Sequence, residues 1–170
     1  MRNMGTSLKD IQEFTLDAHE DFRGEIYTTY DRGKYPMDFN HDKIATRYQH
    51  VLVGIHGDFA TWKLVTCLYG RIFVAIVDNR PESSDYRKHK TFVLSHFNKK
   101  QLLLPPGMGN SFLVMSEFCV YNYKLSYVGN YVDCDEQFTL RWDDPALGIH
   151  WPISNPIVSE RDNAALLLTS

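Results

Sequence analysis

From about residue 48 onward the chain breaks into short β-prone runs, each closed by a turn signal, and this punctuation limits the fold more than any other feature. The runs are YQHVLVGIH, WKLVTCLYG, RIFVAIVD, KTFVLSHF, QLLLPPG, SFLVMSEFCVYNYKLS and QFTLRWDD. Gly70-Arg71, Asn79-Arg80-Pro81, Asn98 and Pro105-Pro106-Gly107 separate them, with backbone preferences that end strands. Short strands closely spaced in this way predict an all-β sandwich or barrel. In RIFVAIVD the alternation is clear, and Ile72, Val74 and Ile76 share one face. Helix is predicted only at the ends: a short turn in TSLKDIQEF, and a helix in SERDNAALLL with Ser159 as N-cap. The expectation is one domain over residues 1–170, an antiparallel barrel or jelly roll with short terminal helices.

Composition removes several classes of function. With 170 residues, 44% of them hydrophobic, the chain can bury the core of one domain. A net charge of -3 and the lack of a Lys/Arg cluster argue against a nucleic-acid partner. No apolar run reaches the length of a membrane span, and MRNMGTSLKDIQEF lacks the apolar centre of a signal peptide. Cys67, Cys119 and Cys134 are odd in number and unpaired in spacing, which suits reduced thiols. A soluble cytosolic protein is expected.

The stretch VLVGIHGDFATWKLV carries the first hint of chemistry, because His56 stands between Gly54 and Gly57 where a strand would otherwise pack side chains. A metal site would need several ligands converging, and no His-x-His pair occurs. His50 and His56 would share a face only on an unbroken strand, while His19, His41, His89 and His96 lie in polar surroundings expected to be exposed. No metal is expected. There is no Gly-x-Ser-x-Gly elbow and no glycine-rich phosphate loop. Proton transfer remains. His56 is either a general base or a satisfied turn histidine, Tyr123 an acid or a barrel tyrosine, and Asp162 by default a solvated carboxylate at a helix start.

Several pieces in order resemble one family: DFRGEIY, VLVGIHGDFATWKLV, VAIVDNRPESSDY, LSHFNKKQLLLPPGMGNSFLVMSE, YNYKLSY, RWDDPALGIHWP and PIVSERD. They are similar to the dTDP-4-dehydrorhamnose 3,5-epimerases, from about residue 20 to 165. The resemblance implies a cupin jelly roll without metal or redox cofactor, a nucleotide-diphosphate sugar as substrate, and a homodimer exchanging N-terminal strands. It implies that His56 is the catalytic base, Asp162 its partner carboxylate, Tyr123 the acid, Lys63 the group facing the substrate carbonyl, and Arg23 a contact to the diphosphate. In a 4-keto sugar the C3 and C5 hydrogens flank the carbonyl, so removing either gives an enolate. Inversion then needs a base on one ring face and a proton donor on the other.

Departures from the family pattern bear on the substrate. The family's arginine before Gly-Leu-His is Val53 here, its histidine in Ala-His-Gly-Phe is Asn110, and its Gln-Asp-Asn stretch reads His41-Asp42-Lys43. HGDFATWKLV and PPGMGNSF resemble the branch acting on GDP-4-keto-6-deoxy-heptoses for capsular polysaccharides. The expectation is an epimerase of such a GDP-heptose, with Asn110 as a substrate contact. The alternatives are a dTDP-4-dehydro-6-deoxyglucose 3,5-epimerase, an enzyme acting at C3 or C5 alone, a ketoisomerase, and a non-catalytic sugar-nucleotide-binding cupin.

Overall fold

The alternation in RIFVAIVD decides which side of the molecule is inside. In the computed structural model, which describes residues 7–168, Ile72, Val74 and Ile76 of this run are fully buried in one cluster with Val65, Leu102, Leu104, Phe112, Val114 and Tyr121. The strands are β1 (Gln12–Thr15), β2 (Ala18–Asp21), β3 (Gly24–Tyr27), β4 (His41–Tyr48), β5 (Leu52–Gly57) and β6 (Trp62–Tyr69). They continue as β7 (Arg71–Asp78), β8 (His89–Ser95), β9 (Lys100–Leu104), β10 (Met108–Val114), β11 (Phe118–Ser126) and β12 (Phe138–Leu140). One five-stranded sheet runs β1-β9-β6-β11-β4 and the other β12-β5-β10-β7-β8, while among the described residues β2 and β3 pair only with each other. Every strand pairing is antiparallel. The two large sheets close over the shared cluster as an all-β jelly roll.

The outer face of the second sheet is also covered. Val77 and Ile55 point away from the main core and pack with Leu140 and Leu147, and Trp151 meets the outward Phe73 ring edge-on at 5.6 Å. The C-terminal third of the chain thus works as a cover over this sheet. It ends in the helix α1 (Glu160–Ala164), capped as expected by Ser159, whose hydroxyl accepts the Asp162 N–H at 3.2 Å.

Three local expectations are corrected, and a fourth is met. β1 to β4 precede the first predicted run and are largely exposed, so they lack the apolar alternation that marks a strand. SFLVMSEFCVYNYKLS is two strands, because the chain turns through Met115–Glu117. The terminal helix stops at Ala164 rather than continuing through the leucines: Leu168 is drawn into the outer cluster and donates its N–H to Asp144. At the other end the expected short turn is a 3-10 helix over Leu8–Asp10 capped by Ser7, and Thr6 lies outside the described residues.

Because Ile72 is fully buried between the sheets, Ile72→Ala should lower folding stability by about 2–5 kcal/mol, the range for emptying such a site. Urea denaturation followed by tryptophan fluorescence measures this.

Candidate active site

The inward positions of the first sheet change character along their length. On β11, Tyr121 is fully buried in the core, and two residues on, Tyr123 reaches a cavity of about 470 Å³. On β6, Cys67 and Val65 are core residues, and two positions before Val65 stands Lys63, which lines the same cavity. On β4 the inward residues Lys43, Ala45 and Arg47 complete this wall. Apolar core therefore gives way to polar cavity by simple continuation of the strand period.

The opposite wall is made by β5 and β10, and it depends on an irregularity. Asn110 pairs with His56, but Phe112 pairs with Val53, so β5 carries one extra residue where the register shifts. A regular strand would send Val53 and His56, three apart, to opposite faces; the bulge brings both to the cavity. Ser111 secures it by donating its hydroxyl to the Val53 carbonyl at 2.5 Å.

Behind His56 lies Asp162, delivered by α1. His56 Nε2 is 2.5 Å from Asp162 Oδ1, and Gly54 donates its N–H to Oδ2 at 3.0 Å. The Asp162 side chain is 4% exposed, against 19% for His56, so the imidazole alone meets the cavity. Burial pushes the Asp162 carboxyl up, but the hydrogen bond and charge of His56, with the Gly54 N–H, outweigh it and hold the group below its ordinary value. Asp162 is a buried, ionised partner and not the solvated helix-start carboxylate that its sequence position suggests.

The glycines beside His56 have a different purpose from the one their position suggests. A Cβ on Gly54 would lie 2.4 Å from the Asp162 carboxylate, and one on Gly57 would lie 2.4 Å from the Phe138 ring. They make room for the partner carboxylate and for β12, and the cleared space is behind the imidazole.

Tyr123 faces His56 from the other sheet and meets Tyr121 edge-on at 4.5 Å. Burial pushes its phenol well above the ordinary tyrosine value, with Arg47 opposing. It therefore holds its proton throughout the neutral range. Lys63 is 7% exposed; burial lowers its ammonium, and Asp58, whose Oδ2 is 3.8 Å from Nζ, acts the other way. Asn110 is buried on the floor and donates to the Tyr121 hydroxyl at 3.1 Å.

His56, Tyr123, Lys63 and Asn110 thus meet in one cavity with Asp162 behind. Arg23 does not join them: it sits at the tip of the β2–β3 hairpin, bound to Asp21 and 75% exposed. Arg47, Tyr131 and Gln137 line the cavity without having been singled out in the sequence, and so does Lys43, which was noted only as a departure from the family pattern. Strand alternation from Lys43 to Arg47 was the available signal, but polar residues on both faces concealed it. His50 turns away from any strand face at φ 67°, and His41 and His96 are half-buried against Tyr131 and Tyr69. Among the described residues no three His, Cys, Asp or Glu side chains group as metal ligands would.

An imidazole–carboxylate pair on one wall of a jelly-roll barrel, with a protonated phenol on the other, is an arrangement capable of acid–base chemistry. The family model described as dTDP-4-dehydrorhamnose 3,5-epimerase matches residues 5–170. The Escherichia coli dTDP-4-dehydrorhamnose 3,5-epimerase is 31% identical over 99% of this chain and 95% of its own length. The crystal structure of that enzyme from Elizabethkingia anophelis superposes with a TM-score of 0.83 at 32% identity, covering 95% of this chain and 93% of the other. The dTDP-6-deoxy-D-glucose-3,5-epimerase of Legionella pneumophila, solved with dTDP-4-keto-L-rhamnose, gives a TM-score of 0.87 at 27% identity over 96% and 90%. The chain belongs to the dTDP-4-dehydrorhamnose 3,5-epimerase family, cupin-fold isomerases that epimerise nucleotide-linked sugars.

Gly54→Ala should displace the Asp162 carboxylate while leaving the sheet intact. Turnover should fall on the order of 10²-fold or more, as for loss of general-base function, with an unchanged circular dichroism spectrum.

Proposed function

We propose that the protein epimerises dTDP-4-dehydro-6-deoxyglucose at C3 and C5 through an enolate. The dTDP substrates of the named relatives put this reading ahead of the GDP-heptose, which none of them carries. The observation that carries it is the placement of His56 and Tyr123 on opposite sheets around one cavity. A sugar ring held between them presents one face to a base and the other to an acid, which is what inversion requires. His56 takes the proton, and Asp162 orients the ring and stabilises the imidazolium. Lys63 meets the C4 oxygen as negative charge develops there. Tyr123, protonated at neutral pH, returns a proton from the far side and is recharged through solvent. A single domain performs all of this, and its buried free thiols Cys67 and Cys119 accord with the cytosol.

Incubation with dTDP- and GDP-4-keto sugars in deuterated water tests the reading directly. Deuterium is expected at both C3 and C5 of the dTDP sugar. Label at one carbon would make the enzyme a single-centre epimerase, label only in the GDP sugar would change the nucleotide, and no label would overturn the epimerase reading. His56→Asn should reduce exchange at both carbons by about 10²- to 10⁴-fold or more.

The diphosphate is assigned to Arg47 and Lys43. The cavity lining carries these two cations and Lys63 but no aspartate or glutamate side chain among the described residues. Among the described residues Arg47 Nη1 donates only to the Thr46 carbonyl, and Lys43 Nζ donates to the Tyr131 hydroxyl at 3.5 Å. Arg47 thereby supplies from β4 the charge that Val53 lacks on β5. Arg23 belongs to the same subsite through a homodimer: among the described residues the hairpin pairs with no other strand, and its Phe22 is 97% and Ile26 73% exposed. A partner copy would bring the hairpin to the cavity.

Arg47→Ala should raise KM about 10- to 100-fold with little change in kcat, the loss of one charge-assisted hydrogen bond. Adding Val53→Arg to that variant should recover most of the loss in steady-state kinetics.

A further inference from the structure

We propose that Asp58 is a positioning residue for the reaction: its inward carboxylate oxygen is the counter-ion that fixes the Lys63 ammonium in the cavity wall. The inference rests on the reading of Lys63 as the group facing the substrate oxygen.

The geometry of Asp58 is unusual for a turn aspartate. It follows β5 directly, and Oδ1 accepts the N–H groups of Ala60 and Thr61 at 2.9 and 2.7 Å. Its carbonyl accepts the Gly107 N–H at 2.7 Å, tying the turn to the approach of β10. These bonds fix the carboxylate plane without involving Lys63. Oδ2 is left over, fully buried and without a hydrogen-bond partner, on a side chain 3% exposed. A buried carboxylate oxygen in that state is costly unless a charge compensates it. The compensating charge is Lys63 Nζ at 3.8 Å.

That separation matters for catalysis. At hydrogen-bonding distance the carboxylate would occupy one of the three ammonium donors; at 3.8 Å it supplies field and leaves all three for other acceptors. The remaining surroundings of Lys63 do not provide such a charge. Lys43 on β4 repels it, while His56 from β5 and Tyr123 from β11 reach the same cavity without bringing a negative charge. Leu104 and Leu125, opposite Lys63 on β9 and β11, are apolar. Burial lowers the Lys63 ammonium, and Asp58 is the counterweight. Without it Lys63 would deprotonate at lower pH, and a neutral amine stabilises an enolate poorly.

Asp58→Asn isolates the charge, because the amide oxygen can still accept the turn N–H groups. The alkaline limb of the kcat profile should move to lower pH by about one unit or more, the usual size of a close opposite charge. Nitrogen-15 NMR of Lys63 Nζ, assigned through its loss in Lys63→Arg, should show the same displacement without substrate. Asp58→Glu, which keeps the charge, should leave the limb near its wild-type position. An unmoved Nζ titration, or activity lost equally at every pH, would overturn the proposal. A displaced titration with an unmoved kinetic limb would leave the ion pair standing and remove Lys63 from the chemistry, overturning its catalytic meaning.

Discussion

The contact between Asp162 and the β5 strand holds the site together. One carboxylate accepts from the backbone of Gly54 and meets His56 across 106 positions of chain. It connects the terminal helix to the bulge, and both to the cavity wall. Three sequence choices converge on it: a glycine small enough to admit the carboxylate, a strand irregularity that turns the imidazole inward, and a serine cap that presents Asp162 on the first turn of α1. Each would look like a minor defect of a strand or helix considered alone.

Charge is distributed around this contact with a clear division. Two carboxylates, Asp58 and Asp162, are buried behind Lys63 and His56, while imidazole and ammonium groups form the visible wall. The cavity therefore presents positive potential to an incoming anionic sugar nucleotide. Low dielectric behind the wall strengthens both pairings, while the outer cations Lys43 and Arg47 are exposed.

Much of this was legible in the residues. The alternation at Ile72, Val74 and Ile76 identified the core face, and turn chemistry marked the central strands with small errors at their ends. His56, Lys63 and Tyr123 could be joined as one site only through the family resemblance, because they lie on three strands of two sheets. Gly54 and Gly57 were visible as gaps, but what fills the gaps comes from 108 and 81 positions away and no local pattern contains it. β4 escaped notice for a related reason: one of its faces lines a polar cavity and the other is largely exposed, so neither displays the apolar period on which strand recognition depends. Arg47 was hidden in it.

The covering role of the C-terminal third has a mechanical consequence. Asp162 arrives on α1, which is anchored by bonds from Arg141 and Trp142 to Asn163 and from Arg161 to Thr139. Loosening α1 from the sheet would withdraw the carboxylate from His56 without unpairing a single strand. The setting of one cavity-wall imidazole is thus governed by a segment that, among the described residues, contributes no lining side chain of its own.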